Sequence, residues 1–131
     1  TPNIADTIGF ARALDYLESI DFDAAIVHEH QVHQHLTGAM LSRKKVDVLG
    51  HPKHWTSVCS FNVKGAHPTD VGTLLDQLGF AVRTGHHCAM PTMEHFGLPG
   101  TARASVALYN TVDEVDRFLE ALDCVIGMLT Y

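Results

Sequence analysis

The C-terminal segment of the chain carries the pattern that most restricts its fold. Thr111 and Glu114 stand three residues apart, as in a capping box, where the threonine hydroxyl accepts the N3 amide and the glutamate binds back to the cap. Apolar residues then recur at helical spacing and form one stripe, at Val115, Phe118, Leu119, Leu122, Val125, Ile126 and Leu129. Because a single apolar stripe needs a second layer to cover it, the pattern predicts a long amphipathic helix packed on a core.

Two segments alternate between apolar and polar residues, as half-buried strands do. The first runs from Trp55 to Val63, with Val58, Ser60 and Asn62 on one side, and the second from Ala102 to Tyr109. Shorter strands are predicted near Val46–Leu49 and at Phe80–Val82.

Three more helices are predicted upstream. They run from after Pro2 to near Ile20, from about Asp23 to Arg43, and from a Thr69 cap to Gly79. The segment from Arg83 to Gly100 is predicted to be an irregular, functional loop. Together these elements predict a single α+β domain over residues 1–131, in which helices pack on a small, mostly antiparallel sheet.

Length and charge exclude several classes of protein. A chain of 131 residues suits one domain, and its net charge of −6 argues against a nucleic-acid binder. No apolar run approaches the roughly 20 residues of a membrane span, and the first ten residues lack a signal-peptide pattern. Three cysteines without paired spacing are typical of a reducing compartment. The chain opens on Thr1 rather than methionine, so we expect it to be a piece of a longer protein.

The chemically reactive side chains concentrate in one segment, Arg83-Thr-Gly-His-His-Cys-Ala-Met-Pro91. A thiol is nucleophilic only as the thiolate, which neighbouring cations favour, so Cys88 is the candidate nucleophile. A buried structural cysteine beside solvated histidines is an equally weighted alternative. A metal site of His86, His87 and Cys88 is a weaker one, because adjacent residues cannot easily all face one ion.

Other polar residues allow two interpretations each. Arg103 interrupts a strand of small residues, so it presents a guanidinium either to a ligand carboxylate or to an acidic partner in a salt bridge. The histidines of the second helix predict a polar face, with metal binding by His30 and His33 as the alternative. Cys59 and Cys124 are predicted to be ordinary core thiols.

Five segments together carry a family resemblance. They are Thr1-Pro-Asn3, Asp70-Val-Gly72-Thr-Leu-Leu75-Asp, Arg83 to Pro91, Thr101-Ala-Arg-Ala-Ser105, and Tyr109-Asn-Thr111-Val-Asp-Glu-Val-Asp116. Over essentially its whole length the chain resembles the C-terminal portion of the SufS-type (group II) cysteine desulfurases and selenocysteine lyases. These are class V aminotransferase-like enzymes of fold type I that use pyridoxal phosphate (PLP).

The resemblance implies roles for five residues. Cys88 matches the catalytic cysteine, which takes sulfur from the substrate as a persulfide while alanine leaves. Arg103 matches the arginine that binds the substrate carboxylate, and Arg83 and His87 match residues of the same pocket. Thr1 matches a threonine that reaches the PLP phosphate of the neighbouring subunit.

The family's PLP-binding lysine follows a histidine in a larger, preceding domain. None of the lysines here stands in that motif; they are Lys44, Lys45, Lys53 and Lys64. The resemblance therefore implies that this chain is the small domain, with residues 1–20 as the helix that connects it to the PLP-binding domain. The isolated chain is then expected to bind no PLP and to be inactive.

The resemblance also implies partners for the complete enzyme. These are L-cysteine or selenocysteine as substrate, a second copy in a homodimer, and a sulfur-acceptor protein of the SufE or SufU type, in cytoplasmic iron–sulfur cluster assembly. No metal, nucleic acid or membrane is expected. The alternative function is a stand-alone carrier that accepts sulfur on Cys88 without PLP, and a histidine-rich metal-binding module is weaker still.

Overall fold

A computed structural model describes residues 1–50 and 56–130. Within these ranges the chain forms five helices and four strands. The elements are α1 (Ile4–Glu18), α2 (Phe22–Leu41), β1 (Val46–Val48), β2 (Val58–Val63), α3 (Pro68–Gln77), β3 (Arg83–Gly85), α4 (Met90–Phe96), β4 (Thr101–Ser105) and α5 (Val112–Leu129).

The strands form one sheet in the order β1-β2-β4-β3, and every neighbouring pair is antiparallel. The central pair places Ser60 opposite Arg103 and Phe61 opposite Ala102. The outer pair places Arg83 opposite Arg103. The predicted α+β class with a small antiparallel sheet is confirmed.

Alternation along the strands separates the two faces of the sheet. Cys59 and Phe61 of β2 are buried together with Ala102 and Ala104 of β4, and they form the core face. Ser60, Arg83 and Arg103 occupy the intervening register positions and therefore lie on the opposite face.

Three helices, α2, α3 and α5, contribute to the hydrophobic core on the first face. Helix α5 begins with the predicted capping box, in which the Glu114 amide donates to the Thr111 hydroxyl over 3.2 Å. Its stripe is buried except for the partly buried Leu129. The Phe118 ring lies edge-on to Phe61 and Phe80 at centroid distances of 6.4 and 5.9 Å.

Three local predictions were wrong. Helix α3 is capped by the His67 side chain, which accepts the Thr69 amide, with Pro68 in the first turn. The strand after α3 is not Phe80–Val82 but Arg83–Gly85, because that is where β4 supplies hydrogen-bonding partners. The segment expected to be irregular therefore contains β3 and also α4.

Helix α1 packs least of all the elements. It has no buried residue, and Phe10, Leu14 and Leu17 are exposed by 66%, 44% and 42%. Such a face is compatible with a helix that connects to another domain, and that assignment of residues 1–20 stays a prediction. In the part of the chain that the structure describes, no helix combines the length and apolar character needed to cross a membrane.

Gly100 allows β3 and β4 to approach each other closely. A Cβ at this buried position would lie 2.8 Å from the carbonyl carbon of Gly85 and 2.9 Å from its oxygen. Because these are backbone atoms, they cannot rotate away as a side chain would.

Gly100→Ala is therefore expected to lower the free energy of unfolding by about 1–3 kcal/mol. Gly38→Ala is the matched control, since a Cβ there has no neighbour within 4 Å and alanine favours a helix interior by about 1 kcal/mol. Urea unfolding of both variants measures the difference. Equal stability of G100A and the wild type would show that the strands do not need this close approach.

Candidate functional site

A strained turn connects β3 to α4. The Ala89 amide donates to the His86 carbonyl over 2.9 Å, and the two residues between them, His87 and Cys88, both have φ of +56°. Positive φ at both central positions is typical of type I′ turns, which glycine and asparagine normally occupy. Side-chain-bearing residues in this region cost about 1–3 kcal/mol each, so surrounding contacts must impose the conformation.

Hydrogen-bonded contacts of two residues, His86 and Thr101, stabilise this turn. The Cys88 amide donates to Nδ1 of His86 over 3.1 Å. Nε2 of His87 lies 2.9 Å from the hydroxyl and 3.1 Å from the carbonyl oxygen of Thr101, which is only 1% exposed in β4. The turn is thus hydrogen-bonded to β4, which is an inner strand of the sheet.

The turn leaves the Cys88 side chain accessible to solvent, whereas Cys59 is buried in β2. Burial raises the pKa of the Cys59 thiol to about 11. The expectation of a core thiol is confirmed for Cys59 and wrong for Cys124, which is exposed. Cys124 follows Leu122 by two positions, so it lies on the side of α5 away from the buried stripe.

Two arginines lie side by side on the outer face of the sheet. Arg83 and Arg103 are directly opposite each other in the register of β3 and β4. Like charges in this arrangement repel, and neither guanidinium forms an ion pair within residues 1–50 and 56–130. The salt bridge considered for Arg103 is therefore absent from these ranges, and the pair is suited to binding an anion.

An open cavity of about 220 Å³ lies between this face and α4. Its polar lining comes from Ser60, His87, Thr92, Thr101 and Arg103, and α4 contributes apolar lining through Met93 and Phe96. Burial lowers the pKa of His87, and the positive charge of Arg103 lowers it further. The cavity thus combines a fixed cation with an imidazole that favours its neutral form.

Of the five candidate residues, His87 and Arg103 line the cavity, whereas Arg83 and Cys88 do not. Arg83 and Arg103 share a cross-strand pair, His87 lines the cavity with Arg103, and Cys88 follows His87 in the turn. Thr1 does not line this cavity and precedes the exposed helix α1.

Sequence reasoning missed Ser60 and Thr101 as lining residues. The only signal for Ser60 was its place on the polar side of an alternating strand. Thr101 was quoted as part of a motif, with no role attached to it.

The histidines of α2 do not form a uniform polar face. His33 is buried, with Nε2 3.3 Å from the Val58 carbonyl oxygen, and burial lowers its pKa. His28 and His35 connect α2 to the region of α5, through the Asn110 carbonyl at 2.8 Å and Asp116 at 2.6 Å. No group of three potential metal ligands occurs in the described part of the chain, while His51 and His54 lie outside it.

Comparison with known proteins gives consistent matches. Residues 1–118 match the model of the family described as aminotransferase class-V. A probable cysteine desulfurase of Pseudomonas putida is 48% identical over 123 residues, which cover 94% of this chain and 30% of that protein.

Solved structures of cysteine desulfurases also match the chain. The cysteine desulfurase CsdA of Escherichia coli superposes with a TM-score of 0.90 at 33% identity, covering 99% of this chain and 32% of that one. An apo cysteine desulfurase of Thermococcus onnurineus gives a TM-score of 0.88 at 38% identity, covering 98% and 32%. The chain thus spans about 30% of the length of the curated relative that it matches.

Proposed function

The chain belongs to the aminotransferase class V family, and on that basis we propose that it is the C-terminal domain of a PLP-dependent cysteine desulfurase of the SufS type. The complete enzyme converts L-cysteine to L-alanine and leaves the sulfur as a persulfide on Cys88. The observation that carries the proposal is an exposed cysteine on a strained turn. It is next in sequence to a histidine that lines a cavity together with Arg103, which forms no ion pair with any described residue.

Arg103 binds the substrate carboxylate, and Arg83 adds a second positive charge to the same pocket. A guanidinium offers parallel N–H donors that match the two oxygens of a carboxylate, and a bound anion relieves the repulsion between the two cations. The remaining polar groups of the cavity then orient the amino acid.

Cys88 acts as the nucleophile. Its thiolate attacks the substrate sulfur, so that an S–S bond forms while the Cβ–S bond of the substrate breaks. The carbon skeleton keeps the bonding electron pair, takes up a proton and leaves as alanine. An exposed loop thiol then carries the persulfide to a place that a second protein can reach.

PLP supplies an electron sink in enzymes of this kind. The described residues do not fit its covalent attachment, because no lysine lines the cavity. Nζ of Lys45 binds Thr130, and Nζ of Lys64 lies 3.2 Å from Asp47, both beside β1. Lys53 lies outside the described residues. We therefore assign the cofactor to another part of the complete enzyme, with Thr1 contacting its phosphate from the neighbouring subunit.

The complete enzyme is proposed to be a cytoplasmic homodimer that passes sulfur to an acceptor of the SufE or SufU type for iron–sulfur cluster assembly. Selenocysteine is a further substrate, which the enzyme converts by the same reaction. The alternative of a stand-alone sulfur carrier uses the same exposed Cys88 and needs no PLP.

Alanine release distinguishes these functions. The complete gene product is expected to release alanine from L-cysteine and to gain one sulfur atom on Cys88, as measured by amino-acid analysis and peptide mass spectrometry. The 131-residue chain with added PLP is expected to do neither, since none of its lysines follows a histidine as in the family's motif. Stoichiometric PLP binding by one lysine of the isolated chain, with alanine produced, would contradict the proposal. A carrier would gain sulfur only when a separate desulfurase is supplied.

A further inference from the structure

The contacts of His87 determine which of its ring nitrogens carries the proton. Nε2 lies 3.1 Å from the Thr101 carbonyl oxygen and 2.9 Å from the Thr101 hydroxyl. A backbone carbonyl can only accept a hydrogen bond, so this contact forms only when Nε2 carries the proton, and the Thr101 hydroxyl then serves as a second acceptor. In the neutral ring the other nitrogen, Nδ1, then has a free lone pair.

That second nitrogen is buried and has no hydrogen-bond partner among residues 1–50 and 56–130. An unsatisfied buried acceptor is costly, so such groups are normally paired with protein, water or a ligand. His87 lines the cavity that Arg103 also lines. Burial lowers the pKa of His87, and Arg103, Arg83 and the neighbouring His86 also disfavour a second proton on its ring.

We propose that Thr101 is a positioning residue, which holds His87 as the neutral Nε2–H tautomer so that Nδ1 accepts a hydrogen bond from the amino-acid substrate bound by Arg103. The substrate part of this inference rests on the proposed desulfurase function. The tautomer part depends only on the contacts of this chain.

The chemistry of the ligand explains the pairing of Arg103 with a neutral His87. An α-amino acid presents a carboxylate, which only accepts hydrogen bonds, and ammonium and thiol groups, which donate them. Arg103 offers donors alone, whereas His87 in this tautomer offers an acceptor to the cavity. Arg103 and His87 in this tautomer together suit a ligand that combines both kinds of group.

The test uses Thr101→Val, which removes the hydroxyl but keeps the side-chain shape, and Thr101→Ser, which keeps the hydroxyl. Nitrogen-15 NMR of the 131-residue chain reports the tautomer and titration of His87 without any substrate. The wild type and T101S are expected to show a neutral ring at pH 7 with the proton on Nε2. T101V is expected to raise the population of the Nδ1–H form about fivefold, because one acceptor for Nε2–H is lost.

Kinetics of the complete gene product supply the second measurement. T101V is expected to lower kcat/KM for L-cysteine about threefold to tenfold, while T101S stays near the wild type. A proton on Nδ1 in the wild type, or an unchanged tautomer in T101V, would overturn the role of Thr101. If wild-type enzyme released no alanine, the desulfurase proposal and the substrate contact would fail, yet the NMR result would still decide the tautomer.

Discussion

Cys88→Ser is expected to reduce alanine production by the complete gene product at least about a thousandfold. The substitution replaces only the sulfur atom, so the turn is retained together with the hydrogen bond that the amide of residue 88 donates to Nδ1 of His86. A serine oxygen cannot accept the substrate sulfur as a persulfide, and removal of a covalent nucleophile typically costs several orders of magnitude in rate. Alanine release and the sulfur content of the enzyme are the measurements.

Cys124→Ser is the matched control for this prediction. Cys124 is also exposed, but it lies on α5, away from the cavity between the sheet and α4. Its variant is expected to keep wild-type activity and to gain sulfur on Cys88. If C88S kept its activity and C124S lost it, the sulfur-accepting role would belong to the other thiol.

Phe61→Ala is expected to lower the free energy of unfolding by about 3–5 kcal/mol. Phe61 is fully buried at the centre of β2 and lies edge-on to Phe118 of α5. Its truncation leaves a cavity between the sheet and that helix. Domains of this size are stable by only about 5–15 kcal/mol, so the variant loses a large part of its stability. Thermal or urea unfolding measures the loss.

Tyr109→Ala is the control for Phe61→Ala, since Tyr109 is an aromatic residue that is 76% exposed. Surface truncations usually change stability by about 0.5 kcal/mol or less. Similar losses in the two variants would mean that Phe61 is not part of the cooperative core.

The α+β class and the main helices were predictable because each depends on short-range periodicity. The capping box and apolar stripe of α5 and the alternation in β2 are repeated within a few residues, and the structure contains both. The motif around Cys88 also identified a family, because its residue types and their order are rare together.

The position of β3 was not predictable from its own residues. Phe80–Val82 has the better strand composition, yet Arg83–Gly85 pairs with β4. Register depends on a partner strand almost 20 residues away and on the close approach at Gly100, neither of which local propensity describes. The same pairing brought Arg83 beside Arg103, although their order in the chain gives no reason to expect it.

The sequence by itself determined the layer that each main element belongs to and the residue types available for chemistry. Only the tertiary structure decided how those side chains meet, through the positive φ of His87 and Cys88 and the contact of His87 with Thr101. The physical reason is the range of the interactions involved. Helical stripes and caps are formed by neighbours in sequence, whereas a strained turn and a paired imidazole exist because a distant strand supplies the hydrogen bonds that stabilise them.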